Sequence, residues 1–400
     1  MKILVACRGG CFSGGRRFCG WLLGFALGLL PLTNAVLGAD GAAAKPAPAN
    51  APEKASSADA ELRRVAENVL LHQRACGGWP KNYDREKRLN APERKALKRA
   101  RLRHDTTIDN GATCTEIRLL ARAFQRFGDE RCARAALRGL RYLLDGQYEN
   151  GGWPQCFPDP RGYARHLTFN DNAMIGVLRL LRDVGRGDAA FSFVPAETRA
   201  RCREAVARGI ECILRCQIRV NGRLTVWCAQ HDPVTFAPRP ARSYELASLS
   251  GHESVGIVRF LMEIERPDPR VVEAIEAAVA WFETAKLEGI KMVRIPAPGT
   301  PKGFDRVVIH DPDAPPMWAR FYDLQTGRPI FCGRDGIPRR TLAGISYERR
   351  NGYSWLGYYA RDLLARDWPA WRRKQAAARN PRSAPRAPAS STSSPEDKSS

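Results

Sequence analysis

Asp109-Asn110 and Asp171-Asn172 are the pairs in this 400-residue chain whose types and spacing best fit chemistry. Each pair opens a run that becomes apolar at helical spacing. In the first run, Thr107-Ile-Asp-Asn-Gly-Ala-Thr113 leads into Ile117, Leu120, Ala121 and Phe124. In the second, Thr168-Phe-Asn-Asp-Asn-Ala-Met174 leads into Leu178 and Leu181. Asp109 or Asn110 is suited to cap its helix, which sets a carboxylate at the helix start. Taken singly, each Asp-Asn is a cap and nothing more. If the helices share a centre, the two carboxylates approach one mouth, and close like charges need a cation or a shared proton. Oxygen-only donors (Asp109, Asn110, Asp171, Asn172) favour a hard ion such as Ca²⁺.

A second group is cationic. Arg242, Arg320, Arg328 and Arg334 lie in Pro/Gly-rich, aromatic-interleaved loops, where an amphipathic helix face does not account for them. Arginine forks carboxylates bidentately, so these residues and Lys302 read as a cationic cleft for an acidic ligand. The net charge of +22 agrees with an anionic partner, whether nucleic acid, acidic lipid or acidic polysaccharide. His166 and His252 lie near the helix starts without forming a triad, and are expected to be packed or hydrogen-bonded. Gly-x-Ser-x-Gly, P-loop and dinucleotide fingerprints are absent.

The elements that must position these residues form a repeat. Leu249-Ser-Gly-His-Glu253 starts a third helix with the same apolar-Arg-apolar-Leu ending, and Gly-Gly-Trp-Pro closes a helix at 77–80 and again at 151–154. Gly and Pro stop a helix and Trp packs across its end. The plan is an outer helix, a loop and an inner helix, three times over: outer helices at 59–75, 131–148 and 197–217, and a fourth at 269–288. Hairpins of this kind close into a toroid with the inner-helix starts at one mouth. Short strands at 223–228, 290–295, 307–309, 319–324 and 329–332 and a closing helix at 353–373 complete the reading.

The ends differ from the middle. Residues 1–39 carry Arg8, Arg16 and Arg17, an apolar run and small residues at Gly38-Ala39, the pattern of a secretory signal peptide. Pro31 and Asn34 interrupt the run, which disfavours an uncleaved anchor of about 20 apolar residues. Residues 40–58 read as a disordered linker, 59–375 as the functional domain and 376–400 as a disordered basic tail. The leader points to a secreted or periplasmic protein with no membrane attachment after cleavage, and argues against nucleic acid as the partner. Nine cysteines follow the leader without metal spacing and are expected to be mostly buried free thiols.

Thr107-Ile-Asp-Asn-Gly-Ala-Thr, Tyr148-Glu-Asn-Gly-Gly-Trp-Pro-Gln, Phe169-Asn-Asp-Asn-Ala-Met, Ala241-Arg-Ser-Tyr-Glu-Leu and Arg320-Phe-Tyr-Asp-Leu with Gly333-Arg-Asp-Gly together resemble the pectate lyases of polysaccharide lyase family 10, over residues 60 to 365. The resemblance implies a mainly α (α/α)3 toroid with short β segments near the cleft. It also implies calcium-assisted β-elimination of polygalacturonate by what is expected to be a monomer. Carried over by motif, Asp109 and Asp171 match the calcium and substrate carboxylates, and Arg242 matches the catalytic base. Asn110, Asn172, Lys302, Arg320 and Arg334 are expected to meet substrate. A free guanidinium stays protonated, so the base role leads us to expect that neighbouring cations and desolvation lower the pKa of Arg242 in the complex, giving an alkaline optimum. Two rivals remain at this point. A non-catalytic acidic-glycan-binding module would keep the cationic cleft. An α-toroid terpene cyclase would need an Asp-rich acid or diphosphate motif, which the chain lacks.

Overall fold

The computed structural model describes residues 51–379; the leader and most of the basic tail fall outside that range. The helices are α1 (Ala51–His72), α2 (Ala91–Arg99), α3 (Cys114–Phe127), α4 (Glu130–Asp145), α5 (Ala173–Arg186), α6 (Ala196–Cys216), α7 (Glu253–Met262), α8 (Pro269–Thr284), α9 (Tyr347–Gly352) and α10 (Trp368–Arg379). Their burial sorts them into two layers. In α6, one stripe (Cys202, Ala205, Gly209, Cys212, Ile213, Cys216) is buried and the rest faces out. In α7, Val255, Ile257, Val258, Phe260 and Leu261 are buried around most of the circumference, as an inner helix requires. Pairs α3/α4, α5/α6 and α7/α8 pack as hairpins, α3, α5 and α7 neighbour one another inside, and α4, α6 and α8 do so outside. This is an (α/α)3 toroid. Among the described residues no helix is long and apolar enough to cross a membrane.

One lock fixes each outer helix to the turn that follows it. Gln73 Nε2 donates to the carbonyls of Gly77 (2.8 Å) and Ala135 (2.9 Å). Gln147 does the same to Gly151 and Ala205, both at 2.8 Å, and Gln217 to Thr225 (2.8 Å) and Ala274 (2.9 Å). Each amide therefore ties its own turn to the next outer helix. The indoles of Trp79, Trp153 and Trp227 donate back to the carbonyls of Val69, Leu143 and Ile213 at 2.7–2.8 Å, satisfying orphan acceptors near the helix ends. The turns lie so close to the next helix that a Cβ at Gly151 (φ +90°) would come within 2.1 Å of the Arg208 carbonyl oxygen.

Several boundaries differ from the sequence reading. Helix α1 begins at Ala51, inside the expected linker, because Ala-rich sequence with Pro52 in the first turn suits a helix start. The 223–228 stretch is a strand only at Arg223-Leu224; Thr225–Trp227 is instead the third helix-stop turn. At the C-terminal side, Leu356-Gly357 pairs with Trp318-Ala319, so the closing helix forms only beyond it and runs to Arg379, into the expected tail. Ile290–Pro296 and Phe304–His310 form one antiparallel hairpin with Val293 opposite Val307. Leu249-Ser250 pairs with Phe321-Tyr322, which carries the β segment to the start of α7. All nine described cysteines are free.

Candidate active site

The Asp109 and Asp171 carboxylates do not cap α3 or α5, although Asp109 Oδ1 accepts from the adjacent Asn110 amide (3.0 Å). Asp109–Gly111 is a 3₁₀ turn ahead of α3, and Asn170–Asn172 is the matching turn ahead of α5. The N-cap positions fall to Thr113 and Asn172, neither with a side-chain cap bond. Asn110 (φ 52°), Asp171 (φ 47°) and Asn172 (φ 58°) take the left-handed region, which short polar side chains tolerate better than others. Thr113 (φ 67°) is β-branched and held there by its hydroxyl, which donates to the Thr107 carbonyl (2.9 Å) and accepts from the Trp79 amide (3.1 Å). The Trp79 turn thus clamps the Asp109 turn, and the released carboxylates face a cleft.

That cleft is a cavity of roughly 100 Å³. Asp109, Asn110, Asp171 and Arg242 line it together, although they come from three separate segments. Sequence reading missed Lys81, Gln155, Asn170, Gln230 and Glu245, which complete its charged and amide lining. Lys81 and Gln155 each follow a Gly-Gly-Trp-Pro turn, a signal the repeat itself carried. Both reach Oδ2 of Asp109: Lys81 as an ion pair, and Gln155 by an Nε2 donor at 2.9 Å. The oxygen of that amide, Gln155 Oε1, is buried without a partner.

Asp171 is held from behind. Arg320, only 5% exposed, donates from one terminal nitrogen to Asp171 Oδ1 (3.1 Å), to Asn170 Oδ1 (3.2 Å) and to the buried Glu253. Burial alone would raise the Glu253 carboxyl. The Arg320 charge, with His252 and Ser250 bonded to it, overcomes this and holds the group well below the usual carboxylate range. His252 is therefore a hydrogen-bonded residue, as expected. Asp171, His252 and Glu253 offer ligand atoms within 4.8 Å of one another, but the Arg320 guanidinium already serves both carboxylates there.

The residues of the expected cationic wall are spread over several places. Arg320 is committed to protein carboxylates, so it orients Asp171 rather than reaching outward. Lys302 sits at the tip of the long hairpin and donates from Nζ to the Asn351 carbonyl at 2.8 Å, outside the cleft lining. Arg328 belongs to an exposed turn outside that lining. Asn172 turns onto α7, where a Cβ on Gly256 would lie 1.7 Å from its Oδ1; Asn170 takes the cleft position instead. Arg334 pairs with Glu348 (3.0 Å) and stands 5.8 Å from the Tyr244 ring. Arg242 and Arg349 approach the same ring at 4.9 and 4.5 Å, so three guanidinium groups gather around one phenol.

Arg242 is paired as well. Glu245 accepts from its Nε (2.7 Å) and from a terminal nitrogen, and Tyr353 donates to Glu245 at 2.6 Å. The Glu245 hydrogen bonds push the guanidinium pKa up, because its nearest charge is an anion; the expected fall concerns the complex with substrate and cation. The lining therefore holds the carboxylates of Asp109, Asp171 and Glu245 against the cations Lys81 and Arg242, a formal charge of minus one.

Residues 73–364 match the family model described as pectic acid lyase. The chain belongs to this family. Two similar solved structures are of family 10 polysaccharide lyase from Cellvibrio cellulosa. One is an aspartate-to-alanine mutant in complex with trigalacturonic acid, 36% identical, with a TM-score of 0.66 over 78% of this chain and 95% of that one. The other is 34% identical, with a TM-score of 0.66 over 79% and 96%. A search of curated protein sequences returns no match. This family 10 member is an enzyme, a carbon–oxygen lyase acting on pectate, and the glycan-binding and cyclase alternatives fall with that assignment.

Proposed function

We propose that the enzyme cleaves α-1,4-linked polygalacturonate by calcium-assisted β-elimination, with Arg242 taking the C5 proton. The observation that carries this is the convergence of Asp109, Asp171 and Arg242 on one small cleft. The donors suit a hard ion: carboxylates of Asp109 and Asp171, amide oxygens of Asn110 and Asn170, and the partnerless Gln155 Oε1. A dication also reverses the sign of a lining with a formal charge of minus one, which an acidic substrate requires. Ca²⁺ held by these residues would supply positive charge beside the substrate carboxylate.

The residues then divide the work. Arg320 and Gln155 fix the two carboxylates, and Lys81 shares the charge of Asp109. The galacturonate C5 proton is α to a carboxylate and only weakly acidic, so charge at that carboxylate must be neutralised as the proton leaves. The C5–H bond breaks toward Arg242 and its electron pair forms the C4–C5 double bond. The C4–O bond breaks, and the departing oxygen takes a proton from water. Arg242 needs its neutral form for this, and Glu245 opposes that form, so the rate should climb with alkalinity. A substrate carboxylate entering the cleft competes with Glu245 for the same guanidinium. The polymer is too large to cross a membrane unaided, which agrees with export by residues 1–39.

The test follows the ultraviolet absorbance of the unsaturated product on polygalacturonate at alkaline pH, with calcium and then with chelator. A calcium-dependent rise that vanishes in Arg242→Ala, with trimer binding retained, is expected. Undiminished activity in Arg242→Ala would remove it as base.

A further inference from the structure

The cleft is not the largest concave surface of the molecule; cavities of about 570 Å³ lie elsewhere. One of them opens on the outer wall between α1, α2 with the 3₁₀ turn after it, and α4, and shares no lining residue with the cleft. Its rim carries Lys98, Arg101, Arg131, Arg134 and Arg138, with Glu67 as the one carboxylate in the lining. Glu67 is paired with Arg131. Lys98, Arg101 and Arg134 have no ion-pair partner among the described residues. Burial and the neighbouring charges of Arg101 and Arg134 lower the pKa of Arg138, so the cations crowd one another. Like charges held together around a concavity are stabilised when an anion enters it.

Geometry selects among anions. Arg131, Arg134 and Arg138 stand at i, i+3 and i+7 on one face of α4, at axial steps of about 4.5 and 6 Å from the helical rise. A row of guanidinium groups along one helix face suits an extended polymer with repeated carboxylates, because guanidinium groups fork carboxylates. Leu70, Leu71 and Leu97 supply an apolar floor for pyranose C–H faces. No aromatic side chain lines the cavity, so the stacking platform of a single-strand nucleic-acid site is missing.

We propose that this outer cavity is a second, non-catalytic binding site for an acidic polysaccharide chain, which anchors polymeric substrate while the cleft works on another stretch. The polymer identity rests on the proposed function; the site itself rests on its own residues. Tethering raises the local concentration of polymer at the cleft without any new catalytic contact.

The experiment pairs Arg101→Glu/Arg134→Glu with the parent enzyme. Both side chains are exposed and outside the cleft, so activity on trigalacturonate should be unchanged. On long polygalacturonate, KM should rise about 10-fold with kcat kept, as loss of an anchoring site predicts. Affinity electrophoresis in polygalacturonate gels should show reduced retardation of the double variant even in an Arg242→Ala background. Equal KM on polymer with equal retardation would overturn the second site while leaving the lyase reading intact. If the parent showed no lyase activity yet its retardation depended on Arg101 and Arg134, the functional reading would fall and the site would stand. Retention of both proteins on anionic phospholipid vesicles, or equal charge-dependent binding to polyphosphate, would overturn a carboxylated saccharide as its ligand.

Discussion

Glu245 holds the Arg242 guanidinium through both carboxylate oxygens and is itself fixed by the Tyr353 hydroxyl at 2.6 Å. The pair sets when Arg242 can accept a proton. Glu245→Gln removes the anion that raises the guanidinium pKa, so the neutral fraction at any given pH increases. The rising limb of kcat/KM against pH should move to lower pH in Glu245→Gln. A shift to higher pH, or none, would separate Arg242 from proton abstraction.

Gln155 touches Asp109 with its nitrogen and leaves its oxygen buried and partnerless. An amide oxygen in that position is a ligand or an outer-shell support, and either role predicts a metal phenotype. In Gln155→Ala the calcium concentration for half-maximal activity should rise about 10-fold or more, with activity recovered at high calcium. Calorimetric titration of calcium gives a second readout. Unchanged calcium affinity would leave the orphan oxygen without a function.

Part of this site was legible in the sequence. Asp109, Asp171 and Arg242 could be picked out because the repeat marks the two aspartates and the motif around Arg242 is distinctive. The third helix-stop turn was not, because the Gln-to-Trp spacing of six in Gln73/Trp79 and Gln147/Trp153 lengthens to ten in Gln217/Trp227, and Thr225-Val226 stands where the other two turns have Gly-Gly before the Trp. The arginine roles were illegible for a different reason. Arg320 meets Glu253 and Asp171 at sequence separations of 67 and 149, and no local pattern reports such pairing. Counting arginines suggested a cationic cleft, whereas their carboxylate partners decide the charge that a ligand meets.

Arg320 and Glu253 form a buried pair, 6% and 0% exposed at their side chains. Removing one partner of such a pair typically costs about 3–5 kcal/mol, because a charge stays buried alone. Arg320→Met should therefore lower stability strongly at neutral pH. In the parent, the depressed Glu253 pKa contributes stability that is complete above the ordinary glutamate value and is lost as pH falls toward the folded one. In Arg320→Met the largest charge opposing burial is gone and only the His252 and Ser250 hydrogen bonds remain, so the Glu253 pKa rises and the variant is penalised most at high pH. Urea denaturation at neutral and mildly acidic pH should show the gap between the proteins narrowing as pH falls. A gap that widened would contradict the pair.

Gly256 provides a probe that separates site geometry from stability. Its missing Cβ makes room for Asn172, whose Oδ1 would lie 1.7 Å from an added methyl. The helix around it accepts alanine better than glycine, by roughly 1 kcal/mol in an exposed interior. In Gly256→Ala that gain offsets part of the cost of pushing Asn172 aside. Asn172 adjoins Asp171 in a turn of two left-handed residues, so the displacement passes directly to the carboxylate. Thermal stability should change by no more than about 1 kcal/mol, within the range of mild substitutions. Activity should fall about 10-fold or more, with a raised calcium requirement, since an ångström of misplacement at a reacting centre can cost about 100-fold. Loss of stability without a calcium effect would make Asn172 a packing residue only. Loss of activity in a stable protein would establish that α7 sets the position of Asp171.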